Sequence, residues 1–393
     1  MNEPQPAASL PTADPTATQP VAYGDGLHAR GCPVVHGSGG EVIVVGHEEA
    51  RRVAEDAETF SSVVSRFLQI PNGLDGEEHR RFRTLLDTYL DASVVQNLSG
   101  GFHAVAREVV AEHLTGETVT VDAVGDLGDT FAVRTMLDWL GWAPELEDRL
   151  VAWVKENNDA TRSGELERTA AAAAEFDAII DAAVVPKLAA PGEDVTSRLI
   201  EDDSLGRRLT REEVVSILRN WTGGDLSSMS YCIGVLLKAL ADDPPLQERL
   251  RVGVSDAEFE AIVDEVLRRD SPFVSNRRVT TCPVTLGGVE VPEGSQVRLH
   301  WTAANRDPEA FENPDGFAPE AHAGKNLVWG AGPHYCPGKA LSMVELEAFL
   351  TELLRAASVR NPEGEDAQLA AVREIHPVGG WSSLPVTLVR LGG

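Results

Sequence analysis

Apolar positions recur at helical spacing through most of the chain and at strand spacing only in short runs. Residues 41–60, EVIVVGHEEARRVAEDAETF, read as a short strand, a turn and a helix. DGEEHRRFRTLLDTYLD (75–91) opens with Asp75 and carries Glu78 three positions on, which predicts a helix start closed by a capping box. Helical patterns also fill 102–115, 122–159 with breaks, and 165–190. The segment 210–245, TREEVVSILRNWTGGDLSSMSYCIGVLLKALADDPP, is apolar around much of its circumference, so it is expected to run through the core. Thr210 and Glu213 form a second capping box there. A helix of about 30 residues is far above the usual length of about 11–12. VTLGGVEVPEGSQVRLH (284–300) predicts small strands and hairpins, and 305–326 an irregular loop. KALSMVELEAFLTELLRAA predicts another helix, and GGWSSLPVTLVRL a turn followed by a strand. With no internal repeat or dividing linker, the pattern predicts a mainly α fold with minor β, as a single large domain over 26–393.

Composition changes the picture at the N-terminus. Residues 1–25 begin with MNEPQPAASLPTADPTATQP, rich in Pro, Ala and Thr, and are expected to form a disordered tail with no signal or anchor. No later stretch has the run of about 20 apolar residues that a membrane span needs. Hydrophobic content of 42% and charged content of 24% are those of a soluble globular protein. Acids outnumber bases 62 to 34, a formal charge of −28, which argues against nucleic acid or an anionic membrane as partner. The four cysteines, Cys32, Cys232, Cys282 and Cys336, are widely spaced, so a reducing cytoplasm rather than a disulfide framework is expected. Cys32 and His36 are too few to make a metal site and are expected to be structural.

The chemistry concentrates in VWGAGPHYCPGKALSM, from residue 328. Glycines 330, 332 and 338 bare one surface of the loop, and Pro337 is placed to open a helix. Cys336 is thus expected at a helix N-terminus, where free N–H groups stabilise a thiolate. Such a thiolate could bind a metal, attack a substrate, or be a buried structural thiol. The bare face favours a ligand that a flat macrocycle approaches.

WGAGPHYCPG resembles the haem-ligand signature of the cytochromes P450, with Trp329 in the usual Phe position and Gly330, Gly332, His334, Cys336 and Gly338 in register. EVLR (265–268) looks like the family's Glu-x-x-Arg pair, and NRDPEAFENPDGF like its meander. ETFSS and EEHRRFR look like the stretches before and within its third helix. The resemblance spans roughly residues 40–390 and implies haem b (iron-protoporphyrin IX) with Cys336 as its metal ligand. It implies that His79, Arg83, Arg278 and His334 contact the propionates, and that Gly330 and Gly338 face the macrocycle. Glu265 and Arg268 become a buried structural pair. Gly316 stands where the family often adds an Arg, so His322 or a backbone carbonyl is the expected substitute.

The long helix departs from the family's pattern, which pairs an acid with an alcohol for proton delivery. WTGGDLSSM puts Asp225 at the acid position in one register and Ser227 and Ser228 at the pair in the other, and both stay open. Gly223 and Gly224 are expected to widen the helix there. Substrate contacts implied by the resemblance are Phe67 and Leu68, with Val63 and Val64 nearby, then Leu218, Trp221, Phe273, Val274, Asn276 and Trp381. The family's first helix has no evident counterpart in YGDGLHARGCPVVHGSGG. With no flavin or nicotinamide fingerprint, electrons are expected from a ferredoxin and its reductase, docking near Lys339, Lys325, Arg80 and Arg81. The implied protein is a cytoplasmic monomer, an oxidoreductase that hydroxylates, dealkylates or epoxidises a small apolar or aromatic molecule with O2. Oxidative coupling, peroxide-driven oxidation and non-catalytic haem binding are the alternatives.

Overall fold

The computed structural model of the chain describes residues 10–16 and 18–392. The expected core helix is Arg211–Asp242, 32 residues with Val214, Ile217, Leu218, Leu226, Ile233 and Leu237 buried. Its capping box forms as expected: Thr210 Oγ1 accepts from the Glu213 N–H, and Glu213 Oε2 accepts from the Thr210 N–H at 2.7 Å. The helix runs unbroken through Gly223 and Gly224, so the expected widening is absent. Neighbouring helices hold it rigid; Trp221, Asp225 and Leu226 on either side of the glycines are all buried. Helix Lys339–Ala356 packs along Ser99–His113.

Two small sheets and two hairpin ribbons complete the fold. The larger sheet runs Val34–His36, Val42–Val44, Gln296–His300, Ser275–Thr280, Phe60–Ser61 in space. Only its Val42–Val44 and Gln296–His300 pair is parallel. The second places Pro385–Arg390 between Thr118–Asp122 and Ala357–Arg360. Among the described residues no helix is long and apolar enough to cross a membrane.

Three local expectations need correction. Residues 1–9 and Ala17 of the expected tail lie outside the described residues, but Pro20–His28 is a helix. Tyr23 and Leu27 bury against the first sheet, and Gly24 lies so close to Ala303 that a Cβ there would stand 2.7 Å from its Cβ. Gly24 thus permits close packing of this helix, which has no evident signal in YGDGLHARG. Asp75 starts helix Gly76–Leu90 without a capping box. Its carboxylate is taken by Ser61 Oγ (2.5 Å) and the Ser62 N–H (3.1 Å), tying the helix to the preceding strand. The third concerns the cysteine loop and follows below.

The Glu265–Arg268 pair is fully buried. Arg268 donates to Glu265 at 2.8 and 2.9 Å, and to the carbonyls of Asn305, Pro314 and Gly316 at 2.8, 3.0 and 3.2 Å. His322 Nδ1 (2.9 Å) and the Ala318 N–H (3.0 Å) complete the carboxylate's shell. Both substitutes expected for the missing meander arginine are therefore in use.

Candidate active site

The cysteine loop is held from several sides. The Cys336 N–H donates to the Trp329 carbonyl at 2.9 Å, closing the turn. Gly332 has φ +68°, and a Cβ there would lie 2.5 Å from the Ala54 carbonyl oxygen, so the loop sits directly on the end of helix His47–Glu55. Gly330 has φ +75°. Helix Lys339–Ala356 starts two residues later than expected, with Gly338 as its cap and Pro337 outside it. The reason lies at the sulfur, which accepts from the N–H groups of Gly338 and Lys339. Burial pushes the Cys336 thiol up, against those N–H groups and the Arg83 guanidinium. A thiolate there calls for a bound cation, and a metal deprotonates a coordinating thiol outright. The absent side chain of Gly338, whose Cβ would stand 3.9 Å from Sγ, leaves the sulfur approachable.

Three of the four expected propionate contacts converge beside this loop. The rings of His79 and His334 stand 4.2 Å apart, and both Nε2 atoms are buried without a partner. Arg278 is 6% exposed, and its side chain donates only to the Arg277 carbonyl, at 2.8 Å. Asp75 stands 3.7 Å from His334 Nε2, beyond hydrogen-bond reach. Burial, helped by the nearby His79 and Arg278, lowers the His334 pKa to about 4, and burial lowers that of His79. Such a cluster, buried ring nitrogens left unpaired beside a buried guanidinium, is costly and suits an anion, to which each can donate. The two carboxylates of a haem fit it, with Cys336 alongside for the iron. Arg83 is not in this cluster: its guanidinium donates to the Tyr335 carbonyl (2.7 Å), the Pro333 carbonyl (3.3 Å) and Asp87 (2.6 Å), so it braces the loop.

Across the cavity stands the core helix. Asp225 and Ser228 line the cavity, whereas Ser227 Oγ turns away and donates to Asn158 Oδ1 at 3.0 Å. Burial raises the Asp225 pKa to about 7, and that of the nearby buried Glu345 is pushed well up by burial and by Asp225. Glu345 escaped the sequence reading, although an acid between Leu341 and Phe349 on an apolar row was a visible signal.

Residues 259–373 match the family model described as Cytochrome P450. The chain is 30% identical over 367 residues to a probable cytochrome P450 127A1 of Sinorhizobium fredii, covering 91% of this chain and 87% of that protein. The chain belongs to the cytochromes P450. A second relative of this P450 is the erythromycin C-12 hydroxylase of Saccharopolyspora erythraea, 26% identical over 86% of this chain and 87% of that one. The open structure of P450 EryK from S. erythraea superposes with TM-score 0.83 at 24% identity, covering 95% of this chain and 96% of that chain, and shows the shared fold. As a cytochrome P450 the protein is an oxidoreductase with a haem-iron cofactor, a monooxygenase of small organic molecules that needs redox partners.

The P450's cavity draws on fewer of the expected substrate residues than the resemblance implies. Trp221, Phe273 and Asn276 line it. Phe67 is 64% exposed beside Arg66, and Leu68 packs on the core with its carbonyl taken by Ser216 Oγ. Leu218 and Val274 are buried in packing away from the cavity, and Trp381 lines a separate cleft of about 680 Å³ next to the N-terminal helix. Sequence reasoning missed Asn72, Leu90, Trp139, Met229 and Trp301, which converge on the cavity from segments distant in sequence. In the expected docking patch Lys339 is tied to Glu260 (2.6 Å) and Asp264 (3.0 Å), and Arg80 to Glu77 (2.6 Å). Arg81 and Lys325 donate only to carbonyls.

Proposed function

We propose that this cytochrome P450 binds haem b through a Cys336 thiolate and hydroxylates, dealkylates or epoxidises a small, mainly apolar or aromatic molecule using O2. The observation that carries this reading is the pair of buried ring nitrogens on His79 and His334, without partners among the described residues, next to the buried Arg278 guanidinium and the Cys336 loop. When bound, the haem supplies the oxygen-activating iron, and a thiolate ligand donates electron density that favours O–O cleavage. The chain's own residues do the rest. Gly330 and Gly338 keep the loop bare, the Gly338 and Lys339 N–H groups tune the sulfur, and His79, His334 and Arg278 hold the propionates. Ser228 and Asp225 stand at the cavity wall, where a proton donor must lie within hydrogen-bond reach, directly or through one water. The Asp225–Glu345 pair can hold a proton there near neutral pH. Relatives with the printed functions erythromycin C-12 hydroxylase and cyclomarin C epoxidase support oxygen insertion into an organic molecule. A ferredoxin with its reductase is the proposed electron source, and the working form a cytoplasmic monomer.

A second reading has one observation behind it. Ser227 is committed to Asn158 and has no carboxylate, so no acid flanks Ser228 in the helix. Oxidation driven by hydrogen peroxide, or oxidative coupling, would need less of a proton relay. Screening the haem-loaded protein against a compound library by Soret shift, then measuring turnover, separates the two. NADPH-coupled product with a ferredoxin and its reductase supports the first, and product from peroxide alone supports the second.

A further inference from the structure

We propose that Asn276 determines specificity by donating a hydrogen bond to a carbonyl oxygen on a neutral, flat aromatic substrate. This rests on the reading of the Cys336 cavity as the substrate site. Asn276 lies in strand Ser275–Thr280 and lines the cavity. Its carboxamide meets the indole nitrogen of Trp301 at 2.7 Å. An indole N–H only donates, so the atom facing it must be Oδ1, and the usual ambiguity of a carboxamide's orientation is removed. The NH2 end therefore points away from Trp301 and has no partner among the described residues.

Trp301 is itself fixed. It is 3% exposed, and its backbone N–H donates to the Val274 carbonyl at 2.7 Å. The donor is thus held in place before any ligand arrives, which lowers the ordering cost of binding. Asn72 and Asn220, also on the cavity wall, point the other way. Asn220 Nδ2 donates to the Ser216 carbonyl (2.9 Å), and Asn220 Oδ1 accepts from Asn72 Nδ2 (3.0 Å), so one N–H of each carboxamide is used within the protein. The Trp221 indole N–H is a further donor on the wall without a partner among the described residues.

The body of the substrate follows from the rest of the wall. Trp139 and Trp221, 5.1 Å apart, with Phe273, offer aromatic faces to a ring system. Besides Asp225 and the haem-side Arg278 and His334, no ionisable side chain but the cysteines lines the cavity among the described residues. Asp225 stands near buried Glu345, and burial disfavours its charged form. A charged ligand would lose its hydration without gaining a counter-ion, so a neutral one is selected.

The test uses haem-loaded full-length protein and two probes of the same ring system, xanthone and xanthene, which differ by a carbonyl in place of a methylene. Binding is read from the Soret shift. Xanthone is expected to bind roughly tenfold tighter, the worth of one well-placed hydrogen bond. Asn276→Ala should abolish that preference and leave xanthene affinity within about twofold. Trp301→Phe frees the carboxamide to turn, so it should reduce the preference with the thiolate carbon-monoxide band intact, a result that loss of packing alone would not give. A preference unchanged in Asn276→Ala, an absent preference in the wild type, or no shift with either probe in protein showing that band, each overturns the proposal. Absence of the band itself fails the haem-thiolate reading, and the two failures are thus distinct.

Discussion

Replacing Glu265 by Ala removes one half of a pair in which both side chains are essentially without solvent, 1% and 0% exposed. Arg268 then keeps three backbone carbonyls but no countercharge, and His322 and the Ala318 N–H lose their acceptor. Breaking a buried pair on one side costs about 3–5 kcal/mol, against a total stability of about 5–15 kcal/mol for a typical protein. With a urea slope of about 3 kcal/mol/M, the upper end for small proteins, the unfolding midpoint should fall by roughly 1–1.7 M. The meander carbonyls that Arg268 gathers lie just ahead of the cysteine loop, so haem loading should fall as well. The assay is urea unfolding followed by circular dichroism, with haem content measured on the same preparation. Glu265→Gln keeps the size and part of the bonding and should lose less. Replacing both partners by Leu should recover part of the loss, since no charge is left buried, although Arg268 also stacks on Phe311 at 4.7 Å. A Glu265→Ala protein with the wild-type midpoint and full haem would refute the reasoning.

Two further outcomes follow from the site. The folded pKa of Asp225, about 7, lies above the ordinary 3.8, so between these values the folded protein holds a proton that the unfolded chain has released. Stability should therefore fall as pH rises through that window, and Asp225→Asn should flatten the slope in pH-dependent urea unfolding; an unchanged slope contradicts the assignment. Arg278→Ala removes the buried cation proposed to hold the haem carboxylates; haem transfer to apomyoglobin should quicken at least tenfold, the effect of about 1.5–3 kcal/mol for a bond to a charged group, and an unchanged rate would remove Arg278 from the propionate site.

What the chain discloses locally, the structure largely keeps. The period of apolar residues gives the core helix Arg211–Asp242 to within a residue or two, and the Thr210–Glu213 box marks its start. The Cys336 loop is legible because glycine, proline and cysteine at fixed spacing have few other uses. The Pro20–His28 helix is hidden because Gly24 serves close packing against Ala303, a partner distant in sequence. Asp75 similarly answers to Ser61 and Ser62 instead of its own helix. The cavity wall is the least legible part. Trp139, Trp301 and Asn72 become neighbours only through tertiary packing, and Phe67 and Trp381 point elsewhere for the same reason. Ser227 and Ser228 are adjacent in sequence but face opposite partners, and which of them meets the cavity depends on the helix's rotation.

The identity of the axial ligand carries the whole account, and carbon monoxide reports it directly. Reduced, haem-loaded protein should give the red-shifted difference band of a thiolate-ligated haem, and Cys336→His should move that band to the position typical of imidazole coordination while haem stays bound. An imidazole-type band in the wild type, or a thiolate-type band that survives Cys336→Ala, would contradict it.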